Sequence, residues 1–297
     1  MSEALLRAFG ASHGGDGLWS GAWRRLRSNR AAVLAAALLA VVVVAAVLGP
    51  WVSPHDMENV DWSLSPLASP PSLANGHWFG TDANGRDLFV RVWAGTRVSL
   101  LVALLASVVS LVIGVAWGAT AGYLGGRVDE WMMRLVDILY ALPYMFFVIV
   151  LTVVFGRSLW LIFVAIGAVG WLTMARIVRG QALELCSRGF VDAAIALGLP
   201  AHRIIARHIV PNLLGSVAVY ATLTVPQLIL FESFLSFLGL GVQEPLTSLG
   251  RLVAEGALAM ERAPWQLLFP CAVLASILFT LNFLGDGLRD ALDPRVR

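Results

Sequence analysis

Ala31-Ala32-Val33-Leu34-Ala35-Ala36-Ala37-Leu38-Leu39-Ala40-Val41-Val42-Val43-Val44-Ala45-Ala46-Val47-Leu48-Gly49 is an apolar run without a single charge. Coiled as a helix at about 1.5 Å per residue it spans roughly the ~30 Å of hydrocarbon in a bilayer. It follows the basic cluster Trp23-Arg24-Arg25-Leu26-Arg27-Ser28-Asn29-Arg30. It is longer than the apolar stretch of a signal peptide, and no small-x-small cleavage site stands behind it, so it reads as a retained transmembrane helix. Five further runs of the same kind follow, at about 98–121, 135–155, 159–178, 213–238 and 266–287, the second and third of these separated only by the tight hairpin Gly156-Arg157-Ser158. The chain is 58% hydrophobic and 13% charged, with a mean hydropathy of +0.78, far outside the range of soluble domains. The expectation is an all-α polytopic membrane protein with six transmembrane helices.

Between the fourth and fifth runs the pattern is interrupted by a short basic insert. Asp192-Ala193-Ala194-Ile195-Ala196-Leu197-Gly198 is followed, nine residues on, by His208-Ile209-Val210-Pro211. Ala193 and Ala194 are small enough for another protein's surface to approach the backbone. Gly198 is the residue expected just past a helix C-terminus, where φ must be positive. Pro200 suits the first turn of a second helix. That helix carries His202, Arg203 and Arg207 among Ile204, Ile205 and Ile209, which gives it a charged and an apolar face. The insert, residues 180–212, reads as a helix-turn-helix docking element.

All 21 basic residues are Arg. Without Lys the chain has neither the phosphate-binding Lys of a Walker loop nor the amine of Schiff-base chemistry. A net charge of +2, spread along membrane boundaries, gives no nucleic-acid stripe. The Arg residues report topology instead. With the N-terminus inside, fifteen of the 21 fall on the cytoplasmic side, so the positive-inside rule places both termini and the insert there. Residues 1–30 and 289–297 are then cytoplasmic tails. Cys186 and Cys271 carry no metal or nucleophile pattern and are expected to be small, partly buried thiols without a disulfide.

Residues 50–96 form the longest polar stretch, broken by Pro50, Pro54, Pro66, Pro70 and Pro71. They read as an extracytoplasmic loop that either meets an outside partner or packs on the bundle. Gly114, Gly118, Gly122 and Gly126, each four residues from the last, share one helix face and predict close helix packing. Pro143 and Pro226 are candidate kinks. Arg134 with Asp137, and Asp286 with Arg289, stand three apart on one face and read as boundary ion pairs. Strongly polar groups inside a membrane suggest function by default, which singles out Gln227, Glu232 and Asn282 for a translocation path. The other reading of Glu232 is a carboxylate at the water boundary or paired with Arg251. The zinc pattern H-E-x-x-H is missing, so a catalytic metal reading lacks support.

The insert resembles the EAA loop through which membrane subunits of ATP-binding-cassette importers dock on their ATPases, with Asp192 where that motif usually has Glu. Gly80-Thr81-Asp82, Gly85-Arg86-Asp87, Gly122-Tyr123-Leu124-Gly125-Gly126, Asp129, Met133-Arg134 and the closing Gly285-Asp286-Gly287-Leu288-Arg289-Asp290-Ala291-Leu292-Asp293-Pro294 are similar to the C-type permease of peptide importers. Arg176-Ile177-Val178-Arg179-Gly180-Gln181 and Phe231-Glu232-Ser233-Phe234-Leu235-Ser236-Phe237-Leu238-Gly239-Leu240-Gly241 resemble its oligopeptide branch. The likeness runs from about Arg24 to the C-terminus.

The resemblance implies a five-helix importer core at 98–288 with the helix at 31–49 peripheral. It implies a non-catalytic subunit of the bacterial inner membrane that forms half of a pore with a second permease and is served by an extracytoplasmic peptide-binding protein. Two ATPase subunits would carry ATP and Mg, leaving this chain without a cofactor. Asp192, Ala193, Ala194, Gly198, Arg203, Arg207 and Pro211 would form the ATPase contact. Cargo within this class extends to dipeptides, nickel chelates and antimicrobial peptides. The reading from another class is a secondary transporter driven by an ion gradient, which commonly shows internal repeats and midplane acids; neither stands out here.

Overall fold

The computed structural model describes residues 18–57, 59–62, 68–156 and 158–292. Arg157, the closing Asp293-Pro294 and most of the N-terminal tail lie outside the described residues. Among those described, the chain is helical, with only isolated β-bridges such as Val60 to Arg86. Helix α1 is Leu18–Ser28, α2 Arg30–Val52 and α3 Leu88–Leu124. Next come α4, Gly126–Ala141, α5, Tyr144–Phe155, and α6, Leu159–Cys186. The insert contributes α7, Gly189–Ala196, and α8, Ala201–Ile204. The chain closes with α9, Val210–Phe237, α10, Leu249–Ala259, and α11, Trp265–Leu292.

Side-chain caps set several of the starts. Asn29 Oδ1 accepts from Ala31 N and Ala32 N at 3.1 and 3.3 Å, and Asp87 Oδ1 accepts from Val90 N at 2.8 Å. These bonds satisfy amides that a helix leaves without internal partners.

Among the described residues, five helices are long and apolar enough to cross a membrane: Arg30–Val52, Leu88–Leu124, Trp160–Cys186, Ala201–Phe237 and Trp265–Leu292. The third expected run, 135–155, is not one helix. It breaks at Leu142-Pro143 into α4 and α5, whose axes differ by 85°, and becomes a sixth span only if the bent pair is counted as one. Leu142 sits at ψ 137°, as the residue before a proline is driven to do, and Pro143 then opens α5 without an amide to give.

The tightest packing is α3 on α6. A side-chain carbon at Gly114 would come within 2.6 Å of Met174 Cβ, and one at Gly122 within 2.7 Å of Ala182 Cβ; Gly118 faces the Ala175 carbonyl even more closely. Three of the four glycines therefore serve close backbone approach, the interface expected where lipid supplies no hydrophobic drive between helices. Gly126 does not belong to the stripe: it starts α4 at φ +53° with open space around it. Val102 and Ala106 of α3, Ile162 and Ile166 of α6, and Ile229 and Leu235 of α9 fill the centre. The first span, α2, lies on α3 and α11 and leaves Leu34, Val41 and Val44 exposed.

The spans define two ends. The loop end gathers the described residues of 53–57, 59–62 and 68–87 with the 238–264 connection; the insert end gathers α1, α7, α8 and the last turn of α11.

Candidate functional site

At the insert end, α7 is eight residues long and too short to stand alone in water. It is fixed from beneath. Val191 and Ala194 pack with Leu185, Ile204, Ile209 and Leu213 in a buried cluster. Asp192 lies in the first turn, where the helix dipole favours a carboxylate. The helix is closed by a Schellman arrangement: Leu199 N donates to Ala194 O at 3.2 Å and Gly198 N to Ile195 O at 2.9 Å, with Gly198 at φ +74°. The positive φ expected at Gly198 is present.

Two details differ from the sequence reading. Ala194 is 4% exposed and belongs to the chain's own core, so of the two alanines only Ala193 is open to a partner. An eight-residue helix on a core must turn one side inward, and Ala194 falls one turn from Val191 on that side. The second insert helix is also not a separate element. Pro200 precedes α8, and α8 passes through a π turn at Ile205–Ile209 straight into α9. Pro211 lacks an N–H for the preceding turn, and the widened turn directly before it absorbs the mismatch.

What the insert presents outward is more apolar than its charges suggested. Phe190, Ile195 and Leu197 are 39%, 53% and 81% exposed, with Asp192, Arg203 and Arg207 around them, also exposed. These three side chains were not picked out from the sequence; alternation with buried Val191 and Ala194 is their only signal. Beside the insert, Pro211 shares a groove of about 580 Å³ with Glu184, Arg188, Asn212, Tyr220 and Arg289.

The three polar candidates inside the spans part company. Gln227 is exposed and lines a cavity of about 350 Å³ with Ser110, Tyr140, Thr173, Thr224 and Phe231. Asn282 is exposed and its amide donates to Leu278 O at 2.8 Å on its own helix. Glu232 does not sit at the water boundary. It is 0% exposed, and its oxygens accept from Ser99 Oγ at 2.8 Å and Ser236 Oγ at 2.7 Å. Its expected partner Arg251 is engaged elsewhere.

That engagement belongs to a closed ring at the loop end. Asp82 binds Arg86 at 2.8 Å and Arg91 at 2.6 Å; Glu244 binds Arg86 at 3.2 Å and Arg251 at 3.1 Å; Glu255 binds Arg251 at 2.9 Å and Arg91 at 3.0 Å. Each of the three carboxylates sits between two guanidiniums, and each guanidinium between two carboxylates. Arg91 is 2% exposed. The ring ties the 50–96 loop to the 238–264 connection, and Gln266 Nε2 and Trp265 Nε1 add bonds to Thr81 O at 3.2 and 3.3 Å. This favours the packed-connector reading of the loop. Hydrogen bonding to Arg86 is the first cause that holds the Glu244 carboxyl below its ordinary range, with the charges of Arg251, Arg86 and Arg91 acting the same way against partial desolvation.

The structure also gathers His55, His77 and Asp87, scattered in sequence. His77 Nδ1 lies 2.8 Å from Asp87 Oδ2, and the two imidazoles stack face to face at 3.9 Å and 13°. Lone pairs in parallel ring planes do not converge on one point, so the geometry suits stacking rather than shared coordination.

At the boundary toward the insert end, Asp137 binds Arg176 at 2.6 Å, and Arg179 grips both oxygens of Asp129 at 2.5 Å each. Arg134 is not the partner of Asp137, and Asp286 and Arg289 form no ion pair among the described residues. In both cases the local spacing only permits contact. For Asp137 the crossing helix α6 offers the closer charge.

Residues 114–297 match the family described as the binding-protein-dependent transport system inner membrane component, and residues 17–71 match the N-terminal TM domain of oligopeptide transport permease C. The chain is 52% identical over 283 residues to the oligopeptide transport system permease protein OppC of Haemophilus influenzae, covering 95% of this chain and 90% of that protein. It is 46% identical over 277 residues to the dipeptide transport system permease protein DppC of Bacillus subtilis, covering 93% and 85%. Among solved structures, a chain of the inward-facing MetNI methionine ABC transporter superposes with a TM-score of 0.57 at 18% identity, over 69% of this chain and 96% of that one. That likeness concerns the fold.

Proposed function

The chain belongs to the binding-protein-dependent transport system inner membrane components, within their peptide-permease branch, and from that premise we propose that it imports oligopeptides as one half of a pore driven by ATPases bound at the insert. It is a multi-pass membrane permease subunit. ATP and Mg are handled on partner chains, a second permease completes the pore, and an extracytoplasmic binding protein delivers cargo. The insert end faces the cytoplasm.

The observation that carries the reading is the insert tip. Phe190, Ile195 and Leu197 are held outward on a helix whose underside is locked into the core, and an apolar patch presented rigidly is a contact surface. Asp192, Arg203 and Arg207 supply its polar rim, and Ala193 and Gly198 keep the backbone approachable. The cavity at Gln227 supports the pore half of the reading. Its hydroxyl and amide side chains can bond peptide groups of any sequence, and no described charge lines it. Asn282 is a second path candidate on the exposed face of α11.

The test is copurification and uptake. Leu197→Asp is expected to insert normally and lose the ATPase subunits; retention of both ATPases and of uptake would refute the docking. Uptake must fall on ATP depletion with the proton gradient intact, whereas a gradient-driven carrier would continue. Labelled di- to pentapeptides separate an oligopeptide cargo from a dipeptide one. Ser72→Cys should react with an impermeant reagent in intact cells and Ala201→Cys should not; equal reaction would overturn the orientation.

A further inference from the structure

Glu232 is buried without a cation, and its two oxygens bond hydroxyls on two helices. Its Oε1 accepts from Ser236 one turn along α9, and its Oε2 from Ser99 on α3. Ser99 Oγ accepts the N–H of Leu249, the first residue of α10, at 3.1 Å. Ser236 Oγ accepts from Ser248 Oγ at 3.0 Å, and Ser248 caps α10 by accepting from Arg251 N at 3.3 Å. The carboxyl group thus reaches the start of α10 twice, through two hydroxyls. Main chains meet closely here as well: a side chain at Gly250 would run into the backbone of Ser233, and one at Gly241 into Ser236. A buried polar network with each member bonded fixes one register, where apolar side chains would tolerate several.

The elements so joined lead to both ends of the molecule. Ala201–Phe237 is one helical span of 37 residues, about 55 Å long, and its first turns are part of the insert. Helix α10 carries Arg251 and Glu255, two members of the ion ring. We propose that Glu232 is a positioning residue that fastens α10 to α9 and α3, so that a displacement begun at the insert arrives at the ion ring. The proposal rests on the reading of the insert as the ATPase contact. It makes Glu232 part of the coupling rather than of the peptide path.

The experiment uses the complete complex in lipid nanodiscs, with Cys186→Ser and Cys271→Ser as background. Spin labels at Leu258→Cys on α10 and Trp51→Cys at the end of α2, both highly exposed, report the distance between them with and without a non-hydrolysable ATP analogue. Uptake per ATP hydrolysed is measured alongside. In the parent complex the nucleotide should shift the distance. In Glu232→Leu, ATP hydrolysis should stay within about twofold while the shift is lost and uptake per ATP falls at least tenfold; Glu232→Gln, which keeps one accepting oxygen, should be intermediate. Should Glu232→Leu not assemble, Ser99→Ala and Glu232→Gln carry the same comparison. An undiminished shift and uptake ratio would overturn the proposal, and so would hydrolysis and uptake falling in parallel, the mark of a merely structural role. A parent complex that binds no ATPase would remove the docking reading itself, and the proposal with it.

Discussion

The two ends of this permease are held together by opposite means. At the loop end, irregular chain is gathered by a ring of three carboxylates and three guanidiniums, with Arg91 at its buried side. At the insert end, a short helix rests on an apolar floor of Val191, Ala194, Ile204 and Ile209, and its charges point away unpaired by the core. One backbone device is nevertheless used at both. Leu197-Gly198-Leu199 ends α7, and Leu238-Gly239-Leu240 ends α9, each glycine at φ +74° and each following Leu bonded five residues back. The difference teaches where tolerance lies. A closed polar ring is least tolerant at its buried member Arg91, whose loss leaves buried Asp82 with a single cation partner. An apolar floor leaves the surface above it free to be shaped for a partner.

The largest effect should come from the ring. Arg91→Ala leaves buried Asp82 and part-exposed Glu255 each with one partner fewer, and removing one member of a buried ion pair costs about 3–5 kcal/mol. Arg203→Ala, at the exposed rim of the insert, should stay within about 0.5 kcal/mol. Thermal unfolding of the purified subunit in detergent checks both. The contrast between the ends collapses if the two substitutions destabilise alike.

Next in size are the paired glycines. Gly198→Val and Gly239→Val both force a β-branched residue into the left-handed region, at a cost of about 1–3 kcal/mol. Nothing else crowds either position, so the two should cost nearly the same in unfolding. Their functional readouts should diverge. Gly198→Val should also lose ATPase association, since the tip beside Leu197 is displaced, while Gly239→Val should keep it. Equal loss of association would mean that the insert has no special part in docking.

Much of this was legible from the chain alone, for physical reasons. The spans are long apolar runs, and the cap at Gly198 and start at Pro200 are local signals. Partnerships made across the fold were not legible. Arg91 meets Glu255 and Arg86 meets Glu244 across more than 150 residues, and no periodicity announces such pairs. Asp137 was matched to Arg134 on spacing, but the bond goes to Arg176 on a crossing helix. Glu232 stood out as a polar residue in an apolar run, which is correct; its destination depended on Ser99 and Ser248, distant in sequence. Ala194 misled because a short helix turns one side inward. Pro143 was seen as a kink, yet the apolar run across it was counted as one span.

The smallest expected effect concerns acid, and it falls at the loop end. Glu244 has its carboxyl held below the ordinary value of 4.5, first by its hydrogen bond to Arg86. A depressed value in the folded state means that the unfolded chain binds the proton more readily. The contribution of Glu244 is therefore fully present above about pH 4.5 and is lost as pH falls through the lower folded value. Its side chain is 54% exposed, so solvent screens the interaction and the change should be modest. The unfolding temperatures of the parent and Glu244→Gln should differ most at pH 7 and draw together below pH 4.5, since protonation turns the parent into a near equivalent of the variant. A gap between parent and Glu244→Gln that stayed constant from pH 7 to pH 3.5 would mean that Glu244 acts by packing, and the ring would then lose its claim to be what holds the loop end.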